Sequence, residues 1–420
     1  MRVASFVNHL EFDFEGNILQ HAICLGDVDN DGLNELVVGN ENGDLAVYKG
    51  ECSRPVRVAS DLGLISAVAV GDLFNNGRNA LVVVTGCGYC YVYDFEDDKL
   101  SDITDRRLQP VHAQRIPANI KVILIGDVNG DGFSEMVVAL TDRVVRTYHW
   151  VNAGDIVGGK PYGKLIVLNK WELADQIGGI TFNHCADNSS ALLVSQPGGT
   201  YFTIKVSPPD EQVDPFDEMN TELLTKMSLD YDSLASARLR NANIHTEICG
   251  NIEYGSELEN TEEGSAYAVA TKDGTLMLVR NGKIQWNLQV DHQLFAIFAL
   301  DVTANGNQEV IACAWDGNTY IVSHNTDCVR FTFPEFVNSF TAGYYGLNGQ
   351  QTPCFVYATF GNGIHLYHGI TLGSMVPTTI ADVLKSKSAY EEAMKNLEID
   401  PHDTDKLKEL NHFLLYIRLQ

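Results

Sequence analysis

The chain is 420 residues long, 45% hydrophobic, and carries a formal net charge of −26 at pH 7. Its length and apolar content suffice for one large packed core, while the acidity opposes binding to nucleic acid or an anionic membrane, both of which reward positive charge. No apolar run is long enough to span a bilayer, and the opening MRVASFVNHLEFDF places Glu11 and Asp13 where a signal peptide needs an unbroken apolar stretch.

That opening segment reads as a β-strand with no obvious neighbour. The chain then enters GDVDNDGLNELVV, where Asp27, Asp29, Asp31 and Glu35 stand at relative positions 1, 3, 5 and 9, with a Gly after the fifth. Oxygen ligands at this spacing can wrap a hard cation such as Ca²⁺. The next copy, GDLFNNGRNALVV, keeps Asp72 but has Phe74, Asn76 and Ala80 in place of the other three. GDVNGDGFSEMVV restores Asp127, Asn129, Asp131 and Glu135, and the sixth copy retains Asp301, Thr303, Asn305 and Glu309. A scaffold that outlives its ligands is kept for the fold, so the repeat precedes the metal. Two readings of the acids stay open. Without a cation, four carboxylates in one turn repel each other; yet Asp, Asn and Gly also close tight turns through side-chain to backbone bonds. The first and third loops are therefore candidate Ca²⁺ sites, and the fold itself requires no cofactor.

Each loop leads into a β-rich run, a short turn and a second run. ELVVGNENGDLAVYK (Glu35 to Lys49) is the first; its counterparts begin at Ala80, Glu135, Ala191, Ala266, Glu309 and Cys354. Six of the seven breaks contain Gly, a hairpin signature. A period of roughly 45 residues with several strands per unit indicates a propeller, here all-β with seven blades. Outer strands follow several hairpins: RPVRVAS from Arg54, KLIVLNKWEL from Lys164, KIQWNLQV from Lys283 and CVRFTFPEF from Cys328. After His368 no good strand remains, so the N-terminal strand is expected to close the last blade and remove an open edge. The propeller is thus assigned to residues 1–376, with acidic inserts at about 207–243, which fits neither strand nor long helix well, and 251–264, both expected to be extended surface loops. Residues 377–420 form a short helical appendage: TTIADVLKSKSAYEEAMKNL, then DTDKLKELNHFLLYIRL behind the caps Asp403 and Thr404.

Other motifs carry less. GDIVGGK (Gly154 to Lys160) has the spacing of a phosphate loop, but Pro161 replaces the Ser or Thr that holds Mg²⁺. Nine cysteines lie mostly in strands, as in reduced proteins, and the lone pair Cys87 and Cys90 lacks a second pair. Trp150, Trp171, Trp286 and Trp315 fall in or beside strands and are expected to pack between blades. No catalytic motif is present, so the chain is read as a non-enzyme.

The loops resemble the FG-GAP repeats of integrin α-subunit propellers across about the first 370 residues. The resemblance is closer to the integrin α FG-GAP repeat-containing protein 2 family, through Gln289 to Val322, His21 to Gly39 and Ile116 to Arg146. It implies membership of the KICSTOR assembly, whose other members include kaptin and a very large scaffold protein. That assembly places the GTPase-activating complex for the Rag GTPases at the lysosomal surface and restrains target-of-rapamycin signalling when nutrients are scarce. A scaffold in the cytoplasm, held at lysosomes through partners, is the expectation. Its rivals are an adhesion ectodomain, which needs a signal peptide, an anchor and paired cysteines, and a propeller enzyme with converging groups on the inner strands.

Overall fold

The computed structural model describes residues 2–95, 107–152, 163–187, 189–206, 227–233, 243–253, 264–376, 395–396, 400 and 403–416. Two short strands open the chain, β1 (Arg2–Ala4) and β2 (His9–Asp13). Four-stranded antiparallel sheets then follow in order. Blade 1 comprises β3 (Ile23–Gly26), β4 (Glu35–Gly39), β5 (Leu45–Tyr48) and β6 (Arg57–Ala59). Blade 2 comprises β7 (Ile65–Gly71), β8 (Ala80–Thr85), β9 (Tyr89–Tyr93) and β10 (His112–Arg115). Blade 3 holds β11 (Ile120–Gly126), β12 (Glu135–Leu140), β13 (Val144–Asn152) and β14 (Gly163–Glu172), and blade 4 holds β15 (Ile180–His184), β16 (Ser190–Gln196), β17 (Thr200–Val206) and β18 (Met227–Ser233). In blade 5 are β19 (Thr246–Ile252), β20 (Ala266–Thr271), β21 (Thr275–Arg280) and β22 (Lys283–Gln289). Blade 6 has β23 (Leu294–Leu300), β24 (Glu309–Ala314), β25 (Asn318–Val322) and β26 (Cys328–Thr332), and blade 7 has β27 (Val337–Leu347), β28 (Gln350–Thr359) and β29 (Gly363–His368).

The N-terminal strand closes the ring as the sequence predicts. β2 pairs with β29, with His9 opposite Tyr367 and Asp13 opposite Gly363. β1 goes further and adds a fifth strand to blade 6 beside β26. The first strand of each sheet packs on the first strand of the next, and β27 returns to β3. Second strands such as ELVVG and ALVVVT are buried throughout, because both sheet faces meet a neighbouring blade. One core joins blades 7, 1 and 2 through Phe12, Val37, Tyr48, Val83, Val356 and Leu366. The glycine that opens each GD pair has a packing reason: a Cβ on Gly26 would lie 2.7 Å from Val70 Cβ, and one on Gly71 would lie 2.9 Å from Ile125 Cβ.

Two expectations are corrected. The acidic insert at 207–243 does supply a strand, since β18 pairs with β17 from Val206 opposite Met227 to Thr200 opposite Ser233. A blade edge needs only one partner, so a polar segment can fill it. Trp150, Trp171 and Trp286 are buried, but Trp315 is 43% exposed at the tip of the blade 6 hairpin. Residues 207–226 and 234–242 of that insert, most of the 251–264 insert, all but residues 395–396 of the first C-terminal helix and the GDIVGGK segment lie outside the described residues.

The chain divides into a unit of Val3–Gly373 and a second unit of Arg2 with Ser374–Gln420. The second contains α1 (Thr404–Tyr416). Asp403 caps it, accepting from the backbone N–H groups of Asp405 at 3.1 Å and Lys406 at 3.2 Å.

Candidate functional site

The four acid-type loops share one hydrogen-bond scheme. Asp at position 1 closes the turn: Asp27 accepts from the N–H groups of Asp31 and Gly32, and Asp72 from those of Asn76 and Gly77. Asp127 accepts from Gly130 and Gly132, and Asp301 from Asn305 and Gly306. Position 5 accepts from the N–H of position 7 in each loop, with Asp31, Asn76, Asp131 and Asn305 as acceptors. Glu at position 9 reaches back to position 2: Glu35 to Val28, Glu135 to Val128 and Glu309 to Val302. These bonds explain why the loop persists where its acids are lost.

Position 4 performs a second task that spacing alone does not reveal. Asn30, at φ 61°, accepts from Asn79 N–H at 2.7 Å and donates to Asn79 O at 3.2 Å. Asn75, at φ 55°, does the same with Ser134, at 2.6 and 3.1 Å. The first and second loops thus grip the loop of the following blade. Asn34 completes the series backwards, donating to Tyr344 O at 3.0 Å and accepting from Gly346 N–H at 2.9 Å in blade 7. The run N-D-G or N-N-G signals a left-handed residue there, but its distant partner is invisible in sequence.

The first loop meets the donor-set condition for a metal most closely. Asp27, Asp29 and Glu35 bring ligand oxygens within 4.8 Å of one another, and no other such group occurs among the described residues. Its centre is held by a cation from the chain itself. Lys49 Nζ, just beyond β5, lies 2.6 Å from Asp29 Oδ2, 2.6 Å from Asp31 Oδ2 and 2.9 Å from Glu35 Oε1. Burial alone would lower the Lys49 ammonium; the bonds from Asp29, Asp31 and Glu35 override it and raise it well above the usual range. Burial pushes Glu35 up to about 7, against the pull of Lys49. With Asp27 spent on backbone N–H groups, Asp29 Oδ1 and Glu35 Oε1 are the buried loop oxygens that accept no hydrogen bond; Glu35 Oε1 faces Lys49 Nζ at 2.9 Å, so this arrangement does not fit a divalent ion while Lys49 is in place.

In the third loop the predicted ligands do not converge. Asn129 donates to Asp131 Oδ2 at 2.9 Å and accepts from Asp131 N–H, while burial raises Glu135 to about 7.

A second polar cluster stands where the inner strands begin, at one mouth of a central cavity of about 490 Å³ that all seven blades line. Glu247 Oε1 lies 2.6 Å from His245 Nε2 and 3.8 Å from Lys121 Nζ. Lys121 also donates to the carbonyls of Ile177 and Gly178, and so ties blade 3 to the link entering blade 4. His21 lines the same cavity; burial lowers its pKa to about 4, and its Nε2 has no hydrogen-bond partner among the described residues. Lys121, His245 and Glu247 consume one another's bonding capacity across blades; Cys24 and Cys249 line the same cavity, and burial pushes both thiols up to about 12. All nine cysteines are free, and Cys87 is exposed whereas Cys90 is buried.

Solved structures resemble this one in fold alone. A crystal structure of BBS1N in complex with ARL6DN, soaked with lead, aligns with a TM-score of 0.58 at 12% identity over 89% of this chain and 99% of that one. The Cps50 (Swd1) β-propeller domain of Myceliophteria thermophila aligns at 0.51 and 11% identity over 87% and 99%. Sequence relatives are more informative. The mouse KICSTOR complex protein ITFG2 is 40% identical over 99% of this chain and 96% of its own length, and the Bos taurus protein of the same name is 38% identical over 92% and 75%. The family model described as Integrin-alpha FG-GAP repeat-containing protein 2 matches residues 49–372, and with relatives of that similarity the chain belongs to the integrin-alpha FG-GAP repeat-containing protein 2 family.

Proposed function

We propose that this chain is a non-catalytic scaffold subunit of a KICSTOR complex. The observation that carries the reading is the 40% identity, along nearly the whole of both chains, to a mouse protein of that complex. The architecture supports it. Seven packed blades, three of whose junctions carry loop-to-loop clasps, form a ring that presents two broad faces, and rigid faces hold partners in fixed geometry without covalent chemistry. Kaptin and the very large KICSTOR scaffold protein are the direct partners in this reading. Together they recruit the Rag GTPase-activating complex to lysosomes and restrain target-of-rapamycin signalling when amino acids are absent. The protein is then cytoplasmic and peripheral at the lysosomal membrane. No described helix is long and apolar enough to cross a membrane. Purification of the tagged full chain from starved cells tests this reading: kaptin recovered in stoichiometric amount supports it, and kaptin absent overturns it.

We further infer that the acid-rich loops serve the scaffold as blade clasps, with Lys49 as the resident cation of the first. The enzyme reading rests on the His21, Lys121, His245 and Glu247 cluster at the cavity mouth. Full occupation of Lys121 and Glu247 by structural partners weighs against it.

A further inference from the structure

The inner strands all run the same way around the ring. The turns between the second and third strands of the blades, and the links that enter each inner strand, therefore share one face. On that face blades 6 and 7 leave three large aromatic rings in solvent: Trp315 at 43% exposure, Phe336 at 71% and Phe360 at 55%. Backbone bonding makes them neighbours. Val337 N–H donates to Trp315 O at 2.9 Å, and Val337 stands opposite Thr359 in the β27–β28 ladder. One residue beyond that pair on either strand stand Phe336 and Phe360. Rings on adjacent blades and turns this well anchored form a fixed apolar platform, since each turn closes by its own bonds, Gly317 to Ala314 and Asn362 to Thr359.

The charge around the platform defines its occupant. Asp316 and Glu335 are exposed and directly adjoin Trp315 and Phe336 in sequence, while Asp291 and Asp273 lie in the flanking link and turn. The neighbouring basic groups are engaged within the chain: Lys272 Nζ sits 4.4 Å from the centre of the Trp315 ring, and His292 Nε2 lies 3.6 Å from Asp316 Oδ2. We propose that this face docks a protein segment of a partner chain that carries apolar side chains with lysines or arginines beside them. The apolar side chains would seat against Phe336, Phe360 and Trp315, and the cations would pair with Asp316 and Glu335. The proposal rests on the scaffold reading and gives it a surface.

The test places a photo-crosslinking phenylalanine analogue at position 336 of the full chain in cells, with the crosslinked peptide identified by mass spectrometry. A second arm repeats it on the D316K/E335K variant. The expected result is a segment of another polypeptide with a lysine or arginine next to the crosslinked residue, and a yield that falls about tenfold on charge reversal. A crosslink to residues of this same chain, to a second copy of it or to an acidic segment overturns the proposal. So does a yield no higher than that from position 348 on the opposite face, or one indifferent to charge reversal. Retained kaptin co-purification in D316K/E335K separates failure of this surface from failure of the scaffold reading.

Discussion

Replacing Lys49 with methionine keeps a flexible apolar stem and removes the ammonium group, with its charge and its hydrogen-bond donors. Lys49 is one quarter exposed; of its partners Glu35 is fully buried, Asp29 is 11% exposed and Asp31 is 41% exposed. The Asp31 pair, being solvated, contributes little, about 0–1 kcal/mol. The other two carboxylates are left buried without a counter-charge, a loss of about 3–5 kcal/mol for a fully buried pair, which partial access to water reduces to roughly 2–4 kcal/mol. With an unfolding entropy of about 2 cal/mol/K per residue over roughly 370 residues, the melting temperature should fall by about 3–5 °C. Differential scanning fluorimetry with and without about 1 mM Ca²⁺ measures it. Lys49→Met should regain part of the loss in Ca²⁺, because its acids now lack a cation, whereas the unmodified protein should not respond. A melting temperature of the unmodified protein that rises with Ca²⁺ as much as the variant's, or a variant with no loss in chelator, would refute the assignment of Lys49 as the resident cation.

Three further outcomes follow from the same geometry. Asp27→Ala should lower stability by about 1–2 kcal/mol, equally in Ca²⁺ and in chelator, because it removes acceptors from two backbone N–H groups; a loss confined to Ca²⁺ would restore a metal role. Asn75→Gly should retain the left-handed backbone but lose both bonds to Ser134, at a cost of about 1–2 kcal/mol by urea denaturation, and Asn75→Ala should cost about 1 kcal/mol more for the strained φ; equal losses would show that the backbone contributes nothing. His21 has its folded pKa depressed by burial to about 4, so its contribution is intact above about pH 6.5 and is lost as pH falls towards 4, by about 3 kcal/mol. Urea midpoints at pH 7 and pH 4.5 should therefore converge in His21→Gln relative to the unmodified protein, and parallel curves would count against a buried neutral imidazole.

Blade count and ring closure were legible because hairpin turns announce themselves locally. A glycine at a fixed offset between two β-branched runs is a short-range signal, and a strand-like N-terminus facing a blade without its fourth strand admits few solutions. Outer strands were harder. MSLDYDS in β18 is polar and lies in a Pro-rich acidic stretch, yet it pairs along its whole length with β17, because an edge strand needs backbone bonds more than apolar faces. Trp315 misled for the converse reason. Its sequence setting resembles that of the buried tryptophans, but it occupies the turn between β24 and β25, where the blade ends and only Phe295 and Lys272 partly cover the ring among the described residues. The clasps of Asn30 and Asn75 were beyond reach, since each joins residues of different blades whose adjacency exists only once the ring has formed.

The candidate site was legible as a set of acids and not as a charge balance, and the repeat explains the difference. In the first blade Leu36 pairs with Tyr48, in the third Met136 with Tyr148, in the sixth Val310 with Val322 and in the second Leu81 with Tyr93. The residue after each of these partners therefore stands beside position 9 of its loop: Lys49, His149, Ser323 and Asp94. The loops themselves carry four, three, two and one carboxylates at the ligand positions in that order: Asp27, Asp29, Asp31 and Glu35; Asp127, Asp131 and Glu135; Asp301 and Glu309; Asp72. The loop with the most acids thus has a lysine at the neighbouring position, and the loop with the fewest has another acid. A loop built around an exchangeable ion would need no such match, because the ion itself would supply the missing charge. A loop balanced by its own sheet requires it, and the Lys49 contacts at 2.6–2.9 Å are the extreme of that series.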